Sequence, residues 1–452
     1  MAKVDDELRA WLNERNVDEV EALVPDITGN ARGKIIPAYR FIKGEGVRLP
    51  EALLVQTVTG EWPDDDVYDE LIHPADRDLF LKPDVTTARM VPWAEEPTAQ
   101  IIHDCVDADG NYHELASRNV LRSVLRRFEE EGLQPIIAPE VEFYLVEKNI
   151  NSDNRLKPPV GRSGRRERAR QSYSIDALNE FDPLFEEMYA FCEAMELDVD
   201  TLIHESGAAQ MEVNFEHADA LSRADQVFLF KRMMREVAMR HDVFATFLAK
   251  PMENEPGSSM HIHQSLIDVK TGKNVFASSG TDKLTDTFRH YIGGLQKYTP
   301  AATIFYAPYV NSYRRIAYGD SAPRNVAWGI DNRTAGLRVP VSSTENRRIE
   351  SRFAGSDVNP YLAIAATLAC GYLGIKEKIE PSAPTEGDAS ELEQTLPLAF
   401  EVSLALLEEE PALQALLGEK FVKAYVGIKR KELDTFFRVI SSWEREYLLL
   451  SV

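Results

Sequence analysis

IIAPEVEFYL, residues 136 to 145, sets two acids at alternate positions of an otherwise apolar run. In an extended strand successive side chains point to opposite faces. Glu140 and Glu142 therefore share one face, and Val141, Phe143 and Leu145 share the other. Two carboxylates side by side on an apolar strand repel, and one is forced to take a proton. A bound cation removes that conflict. The alternative is a half-exposed strand whose glutamates face water.

Three other segments repeat the theme. HESGAAQMEVNF adds Glu205 and Glu212 on either side of a small-residue bend, Gly207-Ala208-Ala209. SSMHIHQS places His261 and His263 on one strand face and Met260 and Ile262 on the other; the bland reading is a pair of core or surface histidines. RRIESRF alternates Arg348, Glu350 and Arg352 against Ile349, Ser351 and Phe353. That pattern is either a strand ion-pair ladder or a metal ligand beside an anion clamp. Together the segments supply five glutamates and a histidine, a donor set for a hard cation such as Mg²⁺ or Mn²⁺ rather than zinc. Arg315, Arg333, Arg338, Arg348 and Arg352 lie nearby in sequence, and guanidinium groups pair bidentately with carboxylates and phosphates. Hard metals with many arginines point to phosphoryl transfer.

Composition narrows the field. The chain has 452 residues, 44% of them hydrophobic, which is enough for one large catalytic domain and a small one. Its net charge of -23 argues against nucleic acid. The longest apolar stretch, Tyr361 to Ile375, is too short to span a membrane and reads as a buried helix. The N-terminal MAKVDDELRAWL lacks the apolar core of a signal peptide, and the three cysteines form no CxxC pair. The expected setting is the cytoplasm, without membrane or nucleic-acid partners. GNARGK (29 to 34) fails as a phosphate loop: three residues separate its glycines and Ile35 stands where Ser or Thr is needed. GRSGRRERAR (161 to 170) is basic but lacks interleaved aromatics, and reads as a solvated loop.

Residues 15 to 105 read as a small β-rich unit, with apolar runs at Val20 to Val24 and Ala52 to Val58. From Ser117 helices appear: Ser117 is the expected cap of a helix stopped by Gly132. Asp182-Pro183 and Asn359-Pro360 open two more. Glu380 to Ser390 reads as an exposed linker.

The ordered motifs resemble the glutamine synthetase superfamily over nearly the whole chain. DITGNARGKIIP and LKPDVTT are similar to its N-terminal β-grasp domain. PEVEFYL, the Glu205/Glu212 segment, KPMENEPGSSMHIHQS, NSYRRIAYGDSAP, NRTAGLRVP and RRIESRF are similar to its catalytic domain. The resemblance implies an α+β chain: a β-grasp domain over 15–108, then a catalytic domain over 113–452 with a curved antiparallel sheet and surrounding helices. It implies two to three Mg²⁺ or Mn²⁺ per site. Glu142, Glu205 and Glu212 would hold one ion, and Glu140, His261 and Glu350 a second. Arg315 and Arg352 would grip glutamate, with Gly257 lining its backbone site. Arg333 would stabilise the phosphoryl group in transit. His263, Ser265, Arg338 and Arg348 would contact ATP. It also implies a homo-oligomer, a dodecamer of two hexameric rings, with sites shared between subunits.

Departures from the family pattern bear on the amine. Ammonia-using members carry a glutamate in the flap after the arginine pair; here Ser321 stands there, in Gly319-Asp320-Ser321-Ala322-Pro323. They also carry an Asp from a neighbouring subunit, which QTVTGEWP (56 to 63) lacks. Glutamate is retained and the amine changes, so the pattern resembles the γ-glutamylpolyamine synthetase branch. Its reaction would join glutamate to putrescine or another polyamine through γ-glutamyl phosphate. Deprotonating such an amine at pH 7 costs about 4–5 kcal/mol from a lysine-like pKa, so a general base is needed. Asp320 and Glu61 are the candidates, and Trp62 beside Glu61 suits an alkylammonium. Glu212 borders the same site. Rival readings are an ammonia-using synthetase, a ligase for ethanolamine or an alkylamine, and a non-catalytic ring protein of the same fold.

Overall fold

The computed structural model describes residues 5–44, 46–148, 155–168, 170–278, 284–319 and 321–452. Two sheets organise the chain. The first runs in the order Ala31–Pro37, Glu19–Pro25, Thr98–Val106, Asp78–Pro83, Val47–Pro50, with Arg89–Met90 paired to Thr98–Val106. Its central strand, TAQIIHDCV, is buried along its whole length and runs parallel to Glu19–Pro25. The helix Asp6–Glu14 lies before position 15 and packs Leu8 and Leu12 into the core.

The second sheet has nine strands, in the order Trp328–Ile330, Leu337–Val339, Ile349–Ser351, Met260–Asp268, Leu133–Glu147, Gln210–Phe215, Val199–His204. Ala218–Asp219 and Val243–Thr246 also pair with Leu133–Glu147. The pairs are antiparallel apart from Trp328–Ile330 with Leu337–Val339 at the edge. Leu133–Glu147 is the spine because its alternation is longest. Its apolar face carries Val141, Phe143 and Leu145 into the core, where Phe143 meets Phe230 and Phe247 at ring distances of 6.3 and 5.6 Å. The opposite face carries the acids. The fold is thus α+β, a grasp-type unit followed by a sheet with helices packed around it.

Asn359 caps the helix Pro360–Glu377 as expected, accepting from the amides of Tyr361 and Leu362. This helix holds the longest apolar stretch. Its glycines allow close packing on the helix Asp286–Tyr306: a Cβ on Gly371 would come within 2.1 Å of the Tyr291 ring. Among the described residues no helix is long and apolar enough to cross a membrane.

Three local expectations are corrected. Ser117 does not cap its helix, Ser117–Glu130; its hydroxyl donates to the carbonyls of Pro25 and Asp26 and so ties the helix to the first sheet. Ala52 to Val58 is not a strand but a 3₁₀ turn, Glu51–Val55, then a tight loop; the Asp76 carboxylate takes the Ala52 amide a ladder would need. Asp182 is the first residue of the helix Asp182–Ala194, with Phe181 before it. The segment from Glu380 to Ser390 is mostly exposed, with Ala389 buried, yet it is strapped down: Thr385 donates its amide to the Trp328 carbonyl, and the Asn332 side chain donates to the carbonyls of Thr385 and Gly387.

Where the two sheets meet, one buried guanidinium gathers three acids. Arg118 lies 2.7 Å from Asp84, 2.5 Å from Asp104 and 2.7 Å from Asp225, and the Tyr361 hydroxyl donates to Asp225 at 2.7 Å. Asp84 and Asp104 come from the first sheet's side; Asp225 lies on the helix Ala220–Arg240.

Candidate active site

Strand register assembles the site. His261 lies opposite Glu140, and Glu212 opposite Glu142. Glu350 lies opposite both His263 and Arg338. Because side chains alternate, these partners all stand on the acid-bearing face. Three groups result whose candidate ligand atoms lie within 4.8 Å of one another: Glu142 with Glu205 and Glu212, Glu140 with Glu212 and His261, and Glu140 with His263 and Glu350.

The electrostatics of this cluster call for a cation. Burial, then the neighbouring Glu205, raises the Glu142 carboxyl to about 8. Burial, then Glu140 and Glu142, raises Glu212 to about 10. Glu205 is also raised, first by burial. Burial opposes ionisation of Glu140, but hydrogen bonds with His263 at 2.9 Å and His261 at 3.2 Å outweigh it and hold Glu140 well below the usual range. Glu350 is likewise buried, yet His261, His263 and Arg352 bring it down to about 2. A mostly oxygen donor set with surplus negative charge fits a hard divalent ion, which would neutralise the Glu142–Glu205–Glu212 triad.

His263 stands inside the carboxylate cluster, with Arg348 Nε 3.3 Å from its Nδ1. Ser265 lies farther along the same strand, two residues beyond His263 and half-buried. Arg338 bridges Glu350 at 2.8 Å and Asp331 at 2.6 Å. Arg352 is paired with Glu350. Arg315 is buried on the helix Val310–Tyr318 and donates to the carbonyls of Phe353 and Arg352 and to the Ser259 hydroxyl. Burial lowers its pKa to about 10, leaving it a cation at neutral pH. Gly257 is a glycine because of this arginine: a Cβ there would sit 2.6 Å from Arg315 Cγ and 2.7 Å from the Ala249 carbonyl.

Other expected residues are exposed, belong to the N-terminal unit, or fall outside the described residues. Arg333 is exposed in the turn between Trp328–Ile330 and Leu337–Val339, and Ser321 is exposed after the helix that carries Arg315. Asp320 lies outside the described residues. Glu61 belongs to the N-terminal unit, where its carboxylate accepts from Thr59 at 3.0 Å and from Thr435 at 2.8 Å. Trp62 beside it is 46% exposed.

Several contributors escaped the reading of the sequence. Gln210 donates to Glu142 at 3.1 Å and to the Gly257 carbonyl at 3.0 Å, and accepts from the Gly207 amide at 2.9 Å. The Ser259 amide donates to Glu142 at 2.7 Å. Gln210 sits inside a quoted motif, two residues before Glu212 and so on the same strand face; that spacing was the available signal. Lys231, buried, holds the turn beyond Arg352 by donating to the carbonyls of Ser356 and Val358 at 2.6 and 2.9 Å.

Residues 114–448 match the glutamine synthetase catalytic-domain family. The chain is 32% identical over 443 residues to the γ-glutamylputrescine synthetase PuuA of Escherichia coli (strain K12), covering 96% of this chain and 92% of the relative. It is 30% identical over 454 residues to a glutamate–isopropylamine ligase of Pseudomonas sp, covering 97% and 96%. It is 33% identical over 439 residues to a glutamine synthetase of Pyrococcus abyssi (strain GE5 / Orsay), covering 94% and 92%. Among solved structures, apo GmaS superposes with a TM-score of 0.84 at 27% identity, covering 99% of both chains. A GmaS/ADP complex matches equally well, with a TM-score of 0.84. With its cluster of acids and histidines on one face of the large sheet, this chain belongs to the glutamine synthetase family.

Proposed function

We propose that this chain is an ATP-dependent ligase that joins the γ-carboxylate of glutamate to a primary amine of putrescine or another polyamine. The observation that carries the ligase reading is the cluster on the large sheet, where Glu142 gathers with Glu205 and Glu212, Glu140 with Glu212 and His261, and Glu140 with His263 and Glu350, with Arg352 paired to Glu350; Glu142, Glu205 and Glu212 would hold one ion and Glu140, His261 and Glu350 a second. Bound Mg²⁺ or Mn²⁺, two to three per site, would draw charge from the ATP phosphates and from the acceptor carboxylate. The protein's own groups do the positioning. Arg315, fixed by backbone carbonyls and Ser259, presents its charge for a glutamate carboxylate; Arg352 shares that task. His263, Ser265, Arg338 and Arg348 would contact ATP, and Arg333 would close over the moving phosphoryl group. The γ-carboxylate of glutamate takes the terminal phosphoryl group of ATP and ADP leaves; the amine then attacks the γ-glutamyl phosphate carbonyl, phosphate departs, and a base takes the amine's proton. Asp320 and Glu61 are the candidate bases. Glu61 would serve the site of an adjacent subunit in a dodecamer of two hexameric rings, a setting that suits a cytoplasmic enzyme of polyamine catabolism.

The amine assignment rests on Ser321 in place of a flap glutamate, on QTVTGEWP without an Asp, and on similarity to two amine ligases. The 33% identity to an archaeal glutamine synthetase favours ammonia as the second reading. A phosphate-release panel separates them. With ATP and glutamate, putrescine, cadaverine, spermidine or spermine should outperform ammonium, ethanolamine and isopropylamine. Turnover with ammonium alone would sink the amine reading. Ser321→Glu should lower kcat/KM for polyamines; unchanged values would remove this position from the amine pocket.

A further inference from the structure

Glu205 does not sit on a regular strand. It occupies the bend between Val199–His204 and Gln210–Phe215, and that bend is costly to hold. Ala209 has φ +57°, a left-handed conformation uncommon for any residue but glycine, and is fully buried. Its amide therefore needs a partner within the protein. That partner is Glu167, whose Oε2 accepts from the Ala209 amide at 2.8 Å. The same oxygen lies 3.0 Å from His204 Nε2, and His204 Nδ1 lies 2.7 Å from the Glu205 carbonyl. Glu167 is 9% exposed and His204 not at all. The neighbouring Ala208 amide donates to Glu255 at 3.0 Å. Two carboxylates from two separate loops thus take consecutive amides of one bend, and one also takes the ring next to Glu205.

Glu167 lies within the arginine-rich segment GRSGRRERAR, read from sequence as a solvated loop. Its bonds go inward, to an amide and an imidazole. The adjacent Arg166 pairs elsewhere, with Glu147. Two more contacts seat the loop on the bend: Ser172 Oγ lies 3.0 Å from Ser206 Oγ, and the Tyr173 amide donates to the His204 carbonyl at 2.8 Å. We infer that Glu167 is a positioning residue for the Glu142–Glu205–Glu212 cation site, fixing Glu205 through Ala209 and His204. The inference rests on the proposed assignment of that triad to a divalent ion. Partners that orient metal ligands carry 10- to 100-fold in affinity in well-built sites.

The arrangement makes a distinguishing claim: Glu167 works by the reach of one acceptor oxygen to two donors, the Ala209 amide and a His204 ring whose other nitrogen also faces an acceptor. Glu167→Gln keeps an oxygen at the same reach. Glu167→Asp keeps the charge but is one methylene short of spanning the amide and the imidazole. Mn²⁺ binding to the substrate-free protein, followed by electron paramagnetic resonance, should weaken roughly tenfold or more in Glu167→Asp and Glu167→Ala. Glu167→Gln, which keeps the oxygen but loses the counter-charge of the ring, should weaken binding less than Glu167→Asp. In turnover, the metal concentration for half-activation should rise in the same order, while kcat at saturating metal changes less. If Glu167→Asp binds as wild type, reach is not what matters and the inference falls. Equal binding by all variants also overturns it. Wild type binding no more Mn²⁺ than Glu142→Gln overturns the cation site on which it rests. Should Glu167→Ala fail to fold, the Gln and Asp pair still decides.

Discussion

Loading the cation site should expel protons, because burial keeps them there. Without metal, burial and the crowding of Glu140, Glu142, Glu205 and Glu212 raise the Glu142 carboxyl to about 8 and the Glu212 carboxyl to about 10. At pH 7 the crowded carboxylates therefore share protons that ordinary glutamates have lost. A divalent ion binds the ionised carboxylates, so about one proton or more leaves on binding at pH 7. Calorimetric titration with Mn²⁺ in buffers of different ionisation enthalpy reads that number as a slope. A release below about half a proton would refute the reasoning, because the acids would then be ionised before the metal arrived. A stability test shares the same origin. Raised carboxyls bind protons in the folded state, so their stabilisation is full below pH 4.5 and is lost as pH rises through about 8 and about 10. Between pH 5 and 8 stability falls as pH rises, because the folded cluster holds protons the unfolded chain has lost. Glu140 and Glu350, shifted the other way, stabilise above pH 4.5 and lose that contribution only as pH falls below it. The metal-free protein should therefore lose Tm from pH 5 to pH 8, and Mn²⁺ should restore it.

Two further outcomes are expected. Gly257→Ala should cost about 1–3 kcal/mol by overpacking and raise KM for glutamate, since the new methyl must push Arg315 or the Ala249 carbonyl aside; denaturant unfolding with glutamate kinetics reads both, and an unchanged KM would detach Arg315 from glutamate. Arg118→Ala should cost about 3–5 kcal/mol, the penalty for stranding buried charges, with Asp84, Asp104 and Asp225 left facing one another; a change under about 1 kcal/mol in urea unfolding would mean water replaces the guanidinium.

The large sheet was legible because its acids alternate with apolar residues. IIAPEVEFYL, MHIHQS and RRIESRF each had one face unsuited to a core, and the register brings those faces together. Alternation names a face but no partner. It could not pair His263 with Glu140, nor show that Arg338 would reach both Glu350 and Asp331. Gln210 and Ser259 were hidden for another reason: a neutral amide and a backbone N–H carry no signal until the chain they satisfy is in place. Glu167 was masked by the arginines around it, since a charge run reads as solvated unless tertiary contacts draw one member inward. Ala52 to Val58 misled because a short apolar run cannot be told from a buried turn by hydrophobicity alone. Ser117 misled because its hydroxyl had a better acceptor in another element.

The pairing of His261 with Glu140 and of Glu212 with Glu142 has a consequence for how the protein comes into being. A one-residue slip in either strand would turn its ligands into the Phe143 side of the sheet and its apolar residues out into the cluster. In a chain with that slip the acids and histidines would no longer face one another, so the proposed cation site depends on the alignment of the sheet as a whole.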